Sequence, residues 1–157
     1  MHPSPSTDPQ QKAHRDFAAQ CFNACWDLID NHDRSAAEDE NMRRLAEVSF
    51  WHWTQVADHT PQHLSIGYWQ LSRVYAISGF CERALAYAEH CLGVSSDGNV
   101  APFYMAYGWE ARARAMASCG RIEEAREAIA RARDLAAEVE DAESRSMLES
   151  DLETITV

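Results

Sequence analysis

Three features of the chain predict an all-α fold. Alanine occurs 25 times, against 6 glycines and 5 prolines, and this balance favours helix because alanine loses least on entering one. Apolar residues recur at spacings of three and four from end to end, the period of a helix with one buried stripe. No segment alternates apolar and polar residues as a strand does. With 157 residues and 46% apolar content, the chain is long enough to bury roughly 70% of its unfolded surface without a disulfide or a metal. One helical domain is expected over 8–157. Three of the five prolines fall in the first nine residues, so 1–7 reads as a disordered tail.

Asp8-Pro9 supplies a cap and a first-turn proline, and the first helix should run to about Asn31 with Phe17, Cys21, Ala24, Cys25 and Leu28 buried. Ser35-Ala-Ala-Glu38 is a capping box. The helix it starts turns Met42, Leu45, Ala46, Ser49, Trp53 and Val56 inward, with Phe50 and Trp51 off that face, and should end at Thr60-Pro61. The third helix follows from Pro61 to Ser78 and is broken by Gly79. A fourth covers about Cys81 to Leu92, and Gly93 to Asn99 reads as a loop. The fifth begins near Pro102 and stops at Gly120; the sixth carries Ile122, Ala125, Ile129, Ala132 and Val139 on one stripe. The seventh buries Leu148, Leu152 and Ile155, and the seven acids between Glu138 and Glu153 form its solvated face.

Fourteen cationic side chains stand against 25 acidic ones, a net charge of −11. That excludes nucleic acid and anionic membrane surfaces as main partners, since both require clustered Lys and Arg. No apolar run approaches the ~18 residues of a membrane span, and no basic and apolar leader opens the chain. Five cysteines without framework spacing point to five reduced thiols in a cytoplasmic protein.

Tyr68, Leu71, Ser72, Tyr75, Gly79, Ala84, Ala88 and Cys91 follow one spacing, and Trp109, Arg112, Ala113, Met116, Gly120, Ala125, Ile129 and Ala132 follow it again. An aromatic residue opens the first helix of each pair, glycine makes the turn, and alanines let the second helix approach. Over about 64–140 the chain resembles the tetratricopeptide-repeat superfamily, and a wider segment from His52-Trp53 onward is similar to small bacterial proteins of that type. The two glycines lie 41 residues apart, where the regular repeat is 34; the 93–101 loop is expected to absorb the difference. The resemblance implies antiparallel helical hairpins stacked as a short right-handed solenoid. The first two helices form a divergent third hairpin and the seventh is a capping helix.

The resemblance also implies a peptide-binding inner surface. Its counterparts here are Trp69, Gln70, Arg73 and Ile77 on the third helix and Tyr107, Glu110, Arg114 and Ser118 on the fifth. Arg73 and Arg114 then converge on one anion, or Glu110 pairs with one of them and leaves the site neutral. His52, His59 and His63 with Asp58 are the densest group of metal-ligand types, but Thr60-Pro61 breaks the helix between them. Cys21 and Cys25, one turn apart, read as small buried hydrophobes. Nucleophile-elbow, phosphate-loop and dinucleotide motifs do not occur. The expectation is a non-enzymatic module for protein or peptide interaction, without cofactor or metal. The alternatives are a sensor of a small molecule or metal using His52, Trp53 and His63, and a two-fold homodimer closed by the surplus aromatics.

Overall fold

The structure is a computed structural model that describes residues 8–157; the tail expected at 1–7 lies outside the described residues. It consists of seven helices: α1 (Pro9–Asp30), α2 (Ala36–Gln55), α3 (Pro61–Ile77), α4 (Cys81–Asp97), α5 (Pro102–Ser118), α6 (Ile122–Ala136) and α7 (Ala142–Glu153). Among the described residues there is no strand, and no helix is long and apolar enough to cross a membrane.

Local chemistry sets most boundaries. Asp8 accepts from the Gln10 N–H at 3.0 Å and opens α1. Ser35 and Glu38 exchange hydrogen bonds of 3.2 and 2.7 Å at the start of α2, and these bonds hold the Glu38 carboxyl below its ordinary range. Gly79 and Gly120 adopt φ of +83° and +74°, left-handed conformations that a side chain disfavours. At both turns the chain closes the same way: Phe80 N–H donates to Tyr75 O and Arg121 N–H to Met116 O, each at 2.9 Å.

Two ends differ from expectation. α2 stops at Gln55 instead of reaching Thr60, because Gln11 of α1 completes its backbone pairing. The Gln11 side chain donates to Gln55 O at 3.2 Å and accepts from Ala57 N–H at 2.7 Å, a tertiary cap with no local sequence signature. α4 continues through Gly93 to Asp97 instead of stopping at Leu92. Gly93 is exposed, where glycine costs a helix only about 1 kcal/mol, and the added turn buries Ser95 on Ser65 at 2.7 Å. It ends at Gly98, whose backbone abuts the Pro61 ring so closely that a Cβ there would lie 2.2 Å from it. The extra length between the repeated glycines therefore includes helix as well as loop.

The helices pack in sequence, α1 with α2, α3 with α4 and α5 with α6; α3 also lies against α5, and α7 covers α5 and α6. One apolar cluster joins Cys25, Ile29, Met42, Leu71 and Val74 across α1 to α3. A second joins Ala113, Ile129, Ala132, Leu148 and Leu152 across α5 to α7. Two side chains are placed otherwise than expected. Phe17 is 50% exposed while Ala18 is fully buried, because Ala18 lets α2 close in and its carbonyl accepts from Ser49 Oγ at 2.8 Å. Phe50 turns inward onto Tyr68, ring centroids 4.4 Å apart, in space that Gly67 leaves open.

The thiol expectation is corrected. Cys81 and Cys119 form a disulfide, with Cα atoms 5.2 Å apart, because the turn between α3 and α4 lies beside the turn between α5 and α6. A bond across 38 residues contributes about 4 kcal/mol by restricting the unfolded chain, in the chain-entropy account. Cys21, Cys25 and Cys91 are free. Burial, with Cys21 adding, pushes the Cys25 thiol up to about 12. Burial likewise raises Cys91 to about 11, so both stay protonated and unreactive.

Candidate functional site

A groove of about 560 Å³ opens between α1, α3, α5 and α7, within the size range of ligand sites. Phe22, Trp26 and Asp30 enter it from α1, at steps of four that keep them on one helix face. α3 contributes Ser65, Ile66 and Trp69; α5 contributes Phe103, Tyr104 and Tyr107; α7 contributes Met147 and Asp151. The rings form a continuous series. Trp26 tilts onto Trp69 with centroids 5.3 Å apart, Tyr107 meets Trp69 edge-on at 5.0 Å, and Phe103 meets Tyr107 at 5.1 Å, all geometries that aromatic pairs favour.

Beside this groove lies a carboxylate removed from water. Glu110 is 0% exposed. It accepts from Trp69 Nε1 at 2.8 Å and from Arg114 Nε and Nη2 at 2.9 and 2.7 Å. Arg73 Nη1 stands 3.5 Å from both Glu110 and Asp151, close enough for charge pairing but without hydrogen-bond alignment, and its Nε has no partner either. Arg114 also donates to the Asp151 carbonyl at 3.0 Å and to Thr154 Oγ1 at 2.8 Å, which fixes α7 to α5. Tyr107 donates to the Asp151 carboxylate at 2.7 Å. Burial, reinforced by that acceptor, raises the Tyr107 phenol well above its ordinary range, so it stays a donor.

The structure thus brings five of the expected surface residues together: Trp69, Arg73, Tyr107, Glu110 and Arg114. Their roles divide. Trp69 and Tyr107 line the groove, whereas both arginines turn to Glu110, which pairs with the two rather than with one. Gln70 is buried and donates to Phe22 O at 3.1 Å, tying α3 to α1. Ile77 and Ser118 close their helices and do not line the groove. Sequence reasoning missed Phe22, Trp26 and Asp30 of α1, Ser65 and Ile66 of α3, and Met147 and Asp151 of α7. A signal existed for the first three, a second stripe along α1 at steps of four; nothing in the sequence turned Asp151 inward from an acidic helix.

The histidines do not converge. His52 faces α1, with its Nδ1 2.9 Å from that of His14. His59 lies on the Val56 carbonyl at 2.7 Å. His63 is the N3 member of the Thr60 capping box and stacks on Trp53 at 4.4 Å, beside a hollow of about 150 Å³. Asp58 pairs with Arg15 at 2.5 Å. Among the described residues, the group of metal-ligand types that does cluster is Cys81, Glu82 and Cys119, whose two sulfurs are bonded to each other. No protein-family model, no curated protein and no solved structure matches the chain.

Proposed function

We propose that the chain is a non-enzymatic interaction module of the tetratricopeptide-repeat type, its helix pairs forming a short right-handed solenoid with α7 as the cap, and that it binds a peptide or protein segment in the groove of α1, α3, α5 and α7. The observation that carries this reading is the groove itself. It is concave and lined mainly by aromatic rings, and its few polar groups come from three different helices, the composition of a recognition surface rather than of a sealed core. The repeated offsets of α3 and α5 support the repeat reading, since Trp69 and Glu110 occupy one offset, and Arg73 and Arg114 another. The buried charge cluster acts as scaffold that holds Trp69 and Tyr107 in place.

Selection of a random peptide library on the purified protein tests this. Selected peptides are expected to lose at least tenfold in affinity against Met147→Arg and against Ile66→Arg, with melting temperatures unchanged. Met147 is 53% exposed and Ile66 half-buried, so both substitutions alter the groove more than the core. Peptides indifferent to both substitutions, or a library that yields no binder, would overturn the reading.

A further inference from the structure

Resting on the groove reading, we propose that the anchor taken by the groove is an arginine side chain of the bound segment, its guanidinium lying on the Trp26 and Trp69 rings between Asp30 and Asp151.

The charges at the site point to a cation. The two ionised side chains that line the groove are Asp30 and Asp151, and neither Lys, Arg nor His lines it. Behind the rings, Arg73 and Arg114 are balanced by Glu110 and Asp151. Asp30, exposed at the end of α1, leaves one uncompensated negative charge at the mouth. The whole chain carries −11, so long-range attraction has the same sign. An anionic anchor finds no cation in the lining, because Arg114 turns to Glu110, the Asp151 carbonyl and Thr154, Arg73 pairs with Glu110 and Asp151, and neither lines the groove.

The apolar walls select among cations. Ring faces attract a cation through their quadrupole, and indole does so most strongly. A guanidinium is flat, weakly hydrated and suited to stacking, whereas an ammonium is compact and holds its water. This protein already makes the contact internally: Arg112 and Arg131 lie over the Trp109 ring at 5.6 and 5.5 Å, and Arg73 lies 5.9 Å from the Trp26 ring. The volume of about 560 Å³ exceeds one side chain, so apolar neighbours of the arginine enter with it, along Phe103 and Met147.

The test uses N-acetyl-arginine methylamide as probe, titrated to millimolar concentration, with the indole N–H signals of Trp26 and Trp69 followed by nuclear magnetic resonance. Saturable shifts at both indoles are expected. The citrulline analogue, which keeps the shape and loses the charge, should need at least fivefold more probe, and Asp30→Asn should weaken arginine binding at least threefold. A citrulline or norleucine probe that binds as well would overturn the cation while leaving the groove reading intact. A lysine analogue that binds equally would overturn the choice of guanidinium. Failure of every probe at these indoles overturns the anchor, and the library-selected peptides then decide independently whether the groove binds at all.

Discussion

At the inner face of α3 and α5, side chains 41 residues apart meet: Trp69 donates to Glu110, and two arginines from equal offsets of the two helices close on the same carboxylate. At the corner of α2 and α3, His52, His59 and His63 lie within twelve residues of one another, yet each takes a different partner: His14 of α1, the Val56 carbonyl and the Thr60 N–H. Helices laid side by side superpose equivalent positions, whereas a helix end scatters its neighbours around a turn. Density of reactive side chains along the sequence is therefore a poor guide to a site, and recurrence at equal offsets a better one.

The contrast breaks most severely at Glu110. Glu110→Ala strands Arg73 and Arg114 in a site where each side chain is 12% exposed, and removing one partner of a buried ion pair costs about 3–5 kcal/mol. Urea denaturation should show a loss of that size; a loss under about 1 kcal/mol would mean the arginines reach water unaided. A smaller change sharpens the same point. Trp69→Phe keeps the ring in the groove but removes one hydrogen bond to a buried charged acceptor, so it should cost about 1.5–3 kcal/mol, measured in the same way.

The smallest effect is expected at the histidine corner, and it depends on pH. Burial, with His14 adding for His52 and with Arg15 and His59 adding for His63, holds both imidazoles below the ordinary 6.5. The unfolded chain therefore takes up protons before the folded one, and stability falls as pH drops through 6.5 and below. The urea midpoint should decline modestly between about pH 7.5 and 5.5, and His52→Gln with His63→Asn should flatten the slope. An unchanged slope in the double variant would assign the decline to other groups.

Much of the helical frame was legible because its signals are local: Asp8-Pro9, the Ser35 box, Thr60-Pro61, Gly79 and Gly120 each act within one turn. The meeting of Trp69 with Glu110 and of Arg73 with Arg114 was legible because α3 and α5 lie side by side, so that positions 41 residues apart come together. What the sequence hid depends on contacts between distant elements. Gln11 stops α2 from another helix, the Pro61 ring fits against Gly98, and Asp151 turns inward to Tyr107 of α5 and Arg73 of α3. Cys81 and Cys119 carry no pairing signal, since only the stacking of two turns brings them together.

That disulfide also changes the topology of the covalent chain. It joins the first residue of α4 to the C-cap of α5, so both helices lie within a closed ring, while α1–α3 and α6–α7 extend from it as two linear arms. A protease that cuts the 98–101 connection opens the ring without parting the molecule, and the nicked protein migrates as one chain until a reductant is added. A cut between α2 and α3, or between α6 and α7, leaves two covalently separate pieces that part on a denaturing gel without a reductant. The same bond thus makes the middle of the molecule tolerant of backbone scission and leaves its two ends without that protection.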